Sequence, residues 1–283
     1  MKTKTIMVIG AGQMGSGIAE VFAAKGYVVL LHDQKLELSQ AAVDGMEKRL
    51  QRLVNKVYME QKAVTSTLAQ ITPISDMYQA ASADLIIEAA TENVDIKEHI
   101  FKEMDRYAKA DAILATNTSS LPITDLASVT NRPEAVIGMH FMNPVPRMKL
   151  VEIIRGLATS EGVFQTIEAL SYQLDKVPVC SEDFPGFVSN RILMPMINEA
   201  VFTLYEGVAT AEDIDTVMKL GMNHPMGPLT LADFIGLDTC LSIMNVLNEG
   251  FGDDKYRPCP LLKKYVQAGW LGKKVGRGFF QYE

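Results

Sequence analysis

Short apolar runs alternate with amphipathic stretches through the first half of the chain. The runs have the length and composition of strands that are buried on both faces of a sheet. Because strands separated by helices are joined by right-handed crossovers, the pattern predicts a doubly wound, mostly parallel α/β sheet with helices on both faces. The predicted strands are residues 5–9, 28–31, 85–89, 113–115 and 135–139.

The pattern changes near Pro185, where the segment EDFPGFVSN is followed only by helical patterns. In TAEDIDTVMKLG, Thr210 stands three residues before Asp213, which is typical of a capped helix N-terminus, and Gly221 marks the end of that helix. The sequence therefore predicts a sheet domain over residues 1–184 and an all-helical domain over residues 185–283.

The composition is that of an ordinary globular protein. The 283 residues are 48% hydrophobic and 22% charged, and both signs are interspersed to give a net charge of -7. This gives no reason to expect nucleic acid or a membrane as a partner. The N-terminal MKTKTIMVIGAG has the pattern of a first strand rather than a signal peptide, so a cytoplasmic location is expected.

The cysteines give no sign of a disulfide or a metal site. Cys180, Cys240 and Cys259 lie far apart and without CxxC spacing, so neither a disulfide framework nor a zinc site is expected. No HExxH pattern or carboxylate cluster points to a catalytic metal, and none is predicted.

A glycine-rich turn, VIGAGQMGSGIAE, follows the first predicted strand and opens an amphipathic helix. Gly10, Gly12 and Gly15 have GxGxxG spacing: the first glycine allows a tight turn, the second lets the backbone approach a pyrophosphate, and the third lets helix pack on strand. The free N–H groups of the helix terminus favour phosphates. Alone the motif is weak evidence, since glycine turns are common.

A carboxylate strengthens the nucleotide interpretation. Asp33 ends the second predicted strand, about 20 residues beyond the middle glycine, where it can accept hydrogen bonds from the adenosine ribose. Its charge would repel a 2′-phosphate, which favours NAD over NADP, although Lys35 nearby acts in the opposite direction.

The stretch GMHFMNPVPRMKLVE carries a histidine and a glutamate on either side of two prolines. Pro144 and Pro146 cannot continue a helix or a ladder, so NPVPRM is predicted to be a turn between two strands. If the chain reverses about Pro146, His140 and Glu152 become cross-strand neighbours with Cβ atoms roughly 5 Å apart. Such a carboxylate would make the imidazole a general acid/base near neutral pH. From spacing alone, a core histidine and an unrelated surface glutamate remain the alternative.

The segment ATNTSSLPI places hydroxyl groups at the sheet edge where ligands bind in doubly wound folds. Ser119, His140 and Glu152 could form a hydrolase triad, but the serine lacks the GxSxG elbow, and a hydrolase would leave the nucleotide site without a role. Ser119 fits better as a donor to a substrate oxygen that gains charge during hydride transfer. Ser120 is expected to cap the helix near Pro122.

Seven motifs in order resemble those of the L-3-hydroxyacyl-CoA dehydrogenase family, and the resemblance covers essentially the whole chain. It implies a Rossmann-type NAD-binding domain, a helical substrate and dimerisation domain, and hydride exchange between nicotinamide C4 and C3 of a short-chain 3-hydroxyacyl-CoA. A homodimer and a place in fatty-acid or butyrate metabolism are implied as well. The motifs are VIGAGQMGSGIA, IIEAATEN, ATNTSSLPI, GMHFMNPVPRMKLVEII, PGFVSNRIL, NHPMGPLTLADFIGLD and GKKVGRGFFQY.

The same resemblance implies roles for individual residues. His140 would act as acid/base on the C3 oxygen with Glu152 paired to it, while Ser119 and Asn190 would hydrogen-bond the substrate. Without the resemblance, Asn190 would be taken for a capping or surface residue. The residues expected to line the NAD site are Gly10, Gly12, Gln13, Met14, Gly15, Asp33, Glu92, Lys97, Asn117, Ser119, Asn143 and Lys274.

A basic stripe is the candidate site for the CoA phosphates. Arg49, Arg52 and Lys56 in MEKRLQRLVNKVY are spaced to share one helix face. Charged stripes on helices are usually solvated faces, and Lys56 is the best match to a CoA-contacting lysine that the family places in this region.

Two other functions stay open. A redox-sensing regulator could use the same nucleotide fold without turnover, but it would be expected to lack the set of Ser119, His140 and Glu152. A β-hydroxyacid dehydrogenase acting on a free acid could share both domains, although the hydroxyisobutyrate group usually relies on a catalytic lysine. The sequence does not fix acyl chain length, physiological direction or the strictness of NAD use.

Overall fold

The computed structural model describes residues 4–282, which form two compact units that divide between Asp183 and Phe184. This division lies one residue before the one suggested by the sequence. The strands of the first unit are β1 (Thr5–Ile9), β2 (Val28–His32), β3 (Ile71–Ile74), β4 (Leu85–Glu88), β5 (Ile113–Thr116), β6 (Val136–Phe141), β7 (Leu150–Arg155) and β8 (Val177–Glu182). Its α-helices are α1 (Gln13–Ala24), α2 (Leu36–Asn55), α3 (Gln61–Leu68), α4 (Val94–Tyr107), α5 (Ile123–Ser128) and α6 (Glu161–Gln173).

The strands form an eight-stranded sheet in the order β3-β2-β1-β4-β5-β6-β7-β8. All neighbours are parallel except β6 and β7, which are antiparallel. The predicted doubly wound, mostly parallel α/β sheet is therefore confirmed. Because the strand order reverses beside β1, a crevice opens at the carboxyl ends of β1 and β4, where ligands bind in folds of this class.

Two edge strands, β3 and β8, are absent from the predicted set. Each contains a proline, Pro73 in β3 and Pro178 in β8, which interrupts the apolar run that marks the inner strands. A proline cannot donate to a ladder and is tolerated at the edge of a sheet, so both strands lie where their sequences allow.

The apolar runs of the inner strands form the core of the first unit. Ile6 and Val8 of β1 pack in one buried cluster with Ile18 and Phe22 of α1, and all four side chains are fully buried. Burying side chains of this size contributes about 1.5–3 kcal/mol each, which fixes α1 against the sheet directly after the glycine-rich turn.

The second unit is helical, as predicted. The Thr210 hydroxyl accepts the Asp213 N–H at 3.2 Å and donates to the Asp213 carboxylate at 2.8 Å, so the predicted cap is confirmed. The helix that it starts widens into a π-helical turn at Val217–Gly221. The α-helices are α7 (Ser189–Tyr205), α8 (Ala211–Thr216), α9 (Pro228–Ile235), α10 (Leu237–Phe251) and α11 (Pro260–Gln267).

Two buried aspartates organise α9 and the C-terminal segment. Asp215 accepts the Leu229 and Thr230 N–H groups at 2.8 and 2.9 Å, which caps the start of α9. Asp233 accepts the Phe279 and Phe280 N–H groups, both at 2.9 Å, and so fastens the end of the chain to α9.

Among residues 4–282, no single helix combines the length and apolar composition needed to cross a membrane. Helices α9 and α10 meet the criteria of length and apolar composition only when they are counted as one segment, and that segment is bent by 98° at the break between them.

Candidate active site

The glycine-rich turn gives each of its three glycines a different environment. Gly10 has a φ of +99°, and a Cβ atom there would lie 2.6 Å from the carbonyl oxygen of Ala89. A Cβ atom on Gly15 would lie 1.7 Å from the carbonyl oxygen of Gly10. Gly12 directly precedes α1, and a Cβ atom there would meet no described atom beyond its chain neighbours within 4 Å. The open side of the turn is therefore at Gly12, where helix N–H groups can meet a pyrophosphate.

Asp33 lies beside this turn at the end of β2. Its Oδ2 accepts the Ala11 N–H and its Oδ1 the Gln34 N–H, each at 2.8 Å. Both oxygens keep a lone pair that can accept from a ribose hydroxyl. The turn and the carboxylate border a cavity of about 830 Å³, and they fit a dinucleotide in both shape and donor set. The predicted NAD residues that line this cavity are Gly10, Gly12, Gln13, Met14 and Asp33.

A buried cluster of charges lies at the carboxyl end of β4. The Lys97 ammonium, on a residue only 1% exposed, donates to Glu88 Oε1 at 2.6 Å. Its Nζ also lies 3.3 Å from Glu92 Oε2. A buried ammonium needs such partners, because leaving it unpaired in the interior would cost several kcal/mol. One lysine therefore stands between two carboxylates beside the predicted NAD site.

Glu92 accepts several hydrogen bonds from the loop that follows β5. Its Oε1 accepts hydrogen bonds from Thr118 Oγ1 at 2.5 Å, the Ser119 N–H at 3.0 Å and Ser120 Oγ at 2.9 Å. Burial alone would raise the pKa of Glu92, but the Lys97 charge and the loop donors outweigh burial and lower that pKa. Glu92 is therefore an anion at neutral pH, and it holds the backbone around Ser119.

The expected role of Ser120 as a helix cap is wrong. Its hydroxyl donates to Glu92, while Asp183 caps α5 by accepting the Ile123 and Thr124 N–H groups at 2.9 and 2.7 Å. The capping carboxylate comes from the end of β8, far away in the sequence, so a search for local caps does not find it.

His140 on β6 stands opposite Glu152 on β7 in the antiparallel register. The imidazole Nδ1 lies 2.8 Å from Glu152 Oε2, and the two residues are 7% and 1% exposed. The side chains therefore meet, as a reversal about Pro146 predicts, and the alternative of a surface glutamate is wrong. Because an ionised carboxylate only accepts hydrogen bonds, Nδ1 carries the proton and Nε2 is the basic nitrogen of the ring.

Lys176 anchors the turn between these two strands. Its buried ammonium donates to the carbonyl oxygens of Val145 and Met148, each at 2.6 Å, and burial lowers the pKa of Lys176. Val145 also packs against α1, where a Cβ atom on Gly17 would lie only 3.0 Å from the Val145 Cβ. The turn that joins His140 to Glu152 is thus fixed from two directions.

Comparison with known proteins then identifies the family. The sequence-family model for the NAD-binding domain of 3-hydroxyacyl-CoA dehydrogenase matches residues 5–184. The family model for the C-terminal domain of that enzyme matches residues 186–282. The chain belongs to the 3-hydroxyacyl-CoA dehydrogenase family. It is therefore an oxidoreductase with NAD as its cofactor, and this agrees with the dinucleotide fit of the glycine turn and Asp33.

Individual relatives of this dehydrogenase match along its whole length. It is 59% identical to the probable 3-hydroxybutyryl-CoA dehydrogenase of Bacillus subtilis, over 100% of this chain and 99% of the relative. It is 41% identical to human mitochondrial hydroxyacyl-coenzyme A dehydrogenase, over 99% of this chain and 91% of the relative. The crystal structure of (S)-3-hydroxybutyryl-CoA dehydrogenase PaaH1 from Ralstonia eutropha superposes with a TM-score of 0.97 at 48% identity, covering 100% of both chains.

The other predicted NAD residues occupy varied positions in the dehydrogenase. Asn117 Oδ1 accepts the Phe141 N–H at 2.8 Å, which ties the end of β5 to the strand that carries His140. Asn143 is exposed just beyond β6. Lys274, in the helical unit, donates to both Asp238 oxygens at 2.6 and 2.7 Å.

The predicted substrate residues differ in how well their positions suit that role. Asn190 is buried in the first turn of α7, so it is not a surface residue. Arg49 forms an ion pair with Glu20 of α1, and this contact sets it apart from the proposed stripe. Arg52 is exposed on α2, and Lys56 is exposed immediately after that helix ends at Asn55. The stripe is thus reduced to Arg52 and Lys56.

Four polar residues of the site region were missed by the sequence analysis. Glu88 and Thr116 end neighbouring strands at the ligand edge, and that position was the available signal. His32 lines the nucleotide cavity, and burial lowers its pKa. Lys176 precedes an edge strand that was not predicted, so nothing in the sequence linked it to the turn.

Asp33→Asn tests the cofactor choice of the dehydrogenase. The amide removes the charge that would repel a 2′-phosphate, so kcat/KM with NADPH relative to NADH should rise roughly ten- to hundredfold, because like-charge contacts cost several kcal/mol. Steady-state kinetics with both cofactors measure this ratio, and Asp44→Asn on the exposed side of α2 is the matched control. An unchanged ratio would mean that the 2′-hydroxyl is recognised elsewhere.

Proposed function

We propose that this dehydrogenase interconverts (S)-3-hydroxybutyryl-CoA and acetoacetyl-CoA by hydride transfer with NAD. The observation that carries the proposal is the buried contact between His140 Nδ1 and Glu152 Oε2 at 2.8 Å, which assigns the ring proton to Nδ1 and makes Nε2 the basic nitrogen of the imidazole. The relatives suggest the substrate, since the Ralstonia protein is named as an (S)-3-hydroxybutyryl-CoA dehydrogenase and the Bacillus protein as a probable 3-hydroxybutyryl-CoA dehydrogenase.

His140 and Glu152 transfer and stabilise the proton of the C3 hydroxyl in this mechanism. NAD, when bound, accepts the hydride from C3 of the hydroxyacyl group. As the hydride leaves, His140 Nε2 takes the proton of the C3 hydroxyl, and the imidazolium so formed is stabilised by the Glu152 carboxylate. In the reverse direction the same nitrogen returns the proton to the carbonyl oxygen.

Ser119 and Asn190 are proposed as substrate donors. The Ser119 loop is held by Glu92 at the carboxyl edge of the sheet, and a fixed hydroxyl there stabilises charge that develops on the C3 oxygen without reorganisation during the reaction. Asn190 supplies an amide from the first turn of α7 in the helical unit. Donors of this kind raise kcat only if their positions suit the transition state.

Arg52 and Lys56 are proposed to face the CoA phosphates. Both are exposed, and neither forms an ion pair with another residue of the described range 4–282. Arg49 is left out of this role because Glu20 already neutralises it. Two cations near the end of α2 provide a local basic patch on a chain whose net charge is -7.

We further propose that the dehydrogenase is a homodimer that pairs through the helical unit. Val208, Leu220 and Met222 are 71%, 83% and 61% exposed. Val208 also lines a cavity of about 470 Å³, together with side chains such as Met196 and Met218. Apolar surface of this kind marks an interface, and a second copy would cover it. Light scattering should give about twice the 31.2 kDa chain mass, and a monomer at micromolar concentration would contradict the proposal.

The substrate proposal is tested by comparing a thioester with the free acid. Acetoacetyl-CoA should be reduced by NADH with a kcat/KM about two orders of magnitude or more above that for acetoacetate, because remote CoA contacts orient the reacting carbonyl. His140→Gln should lower kcat about two to four orders of magnitude while NADH binding stays near the wild-type value. Similar rates on both substrates would favour a free-acid dehydrogenase.

The contribution of Arg52 and Lys56 to CoA binding is tested separately with the same substrate. Replacing Arg52 and Lys56 with glutamine should raise KM for acetoacetyl-CoA and weaken its salt dependence, with KM for NADH unchanged. Lys263→Gln, on the exposed surface of α11, is the matched control. An unaltered KM would place the CoA phosphates on another surface and leave the substrate assignment intact.

A further inference from the structure

Glu88 is a buried carboxylate with no part in the proposed proton transfer, and its two oxygens bind different groups. Oε1 accepts from the Ala90 N–H and from Lys97 Nζ, both at 2.6 Å, while Oε2 accepts from Thr116 Oγ1 at 2.7 Å. An ionised carboxylate cannot donate, so the direction of all three hydrogen bonds is set.

The Thr116 hydroxyl passes this direction on to the Ser119 loop. Since its single proton points to Glu88, its oxygen is left to accept, and Thr116 Oγ1 accepts the Thr118 N–H at 3.0 Å. Glu88 and Thr116 are register partners on β4 and β5, and both are 0% exposed. Water therefore does not compete for either bond.

Thr118 repeats the arrangement two residues further on. Its hydroxyl donates to Glu92 Oε1 at 2.5 Å and accepts the Leu121 N–H at 3.0 Å. Lys97 lies between Glu92 and Glu88, so the two carboxylates belong to one cluster. The backbone on both sides of Ser119 is thus bonded to hydroxyl oxygens that are committed as acceptors.

We propose that Glu88 and Thr116 are positioning residues for Ser119, acting through the backbone of the loop without touching the substrate. The inference rests on the proposed function, in which the Ser119 hydroxyl donates to the C3 oxygen. If the Thr116 hydroxyl were lost, the buried Thr118 N–H would lose its acceptor. The loop would then leave the position that suits the transition state.

Two substitutions of Thr116 separate positioning from packing. Thr116→Val keeps the shape but removes the hydroxyl, whereas Thr116→Ser keeps the hydroxyl but leaves a small cavity. Thr116→Val should lower kcat for acetoacetyl-CoA reduction about tenfold and speed the hydrogen exchange of the Thr118 amide, because a buried donor loses its partner. Thr116→Ser should match wild type in kcat and in exchange of the Thr118 amide, even if its Tm is lower than that of Thr116→Val.

Glu88→Gln provides a second route to the same effect. A glutamine amide that donates to Thr116 turns the Thr116 proton away from position 88 and takes up one of the two Oγ1 lone pairs. This variant should therefore change kcat and exchange of the Thr118 amide in the same direction as Thr116→Val, but by less. The matched control is Glu98→Gln, which removes a half-buried carboxylate that pairs with Lys102 on the same helix, and it should behave as wild type.

Equal kcat values and exchange rates in the valine and serine variants would overturn the proposal. So would a loss of kcat that follows the decrease in Tm across the variants and not the loss of the hydroxyl group. If Glu88→Gln does not fold, the two Thr116 variants decide the matter. If wild type does not reduce acetoacetyl-CoA, the proposed function has failed, and exchange of the Thr118 amide in cofactor-free protein still tests the positioning role.

Discussion

The site depends most on the antiparallel pairing of β6 with β7 in an otherwise parallel arrangement of neighbours. The register places His140 directly opposite Glu152, and a shift by one residue would turn one of the two side chains to the other face of the sheet. Lys176 holds the turn between the strands through two carbonyl oxygens. The acid/base pair is therefore a consequence of strand register.

A second constraint is the cost of burying charge at the carboxyl edge of the sheet. Glu88 and Lys97 are almost completely buried, which is tolerable only because each is paired and hydrogen-bonded. Satisfying those charges requires hydroxyl and amide donors, and the loop that carries Ser119 supplies them. The same contacts that make the cluster stable also fix the loop, so stability and placement of the site are linked.

The sequence predicted most of what depends on local patterns. Apolar runs identified the inner strands, the glycine spacing identified the nucleotide turn, and the prolines predicted the reversal that brings His140 to Glu152. Contacts between residues far apart in sequence were not predictable in this way. Asp183 took the capping role expected of Ser120, and Glu20 neutralised Arg49, because each partner comes from a separate element.

The buried polar groups form another class that patterns missed. Glu88 ends an apolar strand and resembles a surface residue in the sequence, yet it is fully buried, because Thr116 and Lys97 converge on it from β5 and α4. Only the packed sheet brings these three side chains together. Their importance follows from hydrogen-bond direction, which a one-dimensional pattern does not contain.

The turnover number for oxidation of (S)-3-hydroxybutyryl-CoA, compared between wild type and Glu152→Gln, tests the central claim most directly. In this direction His140 takes the hydroxyl proton, and the Glu152 carboxylate stabilises the imidazolium that forms. Removing the anionic charge should therefore lower kcat about tenfold or more, while NAD binding stays near the wild-type value. A kcat that stays at the wild-type value would contradict the claim that Glu152 supports proton transfer by His140.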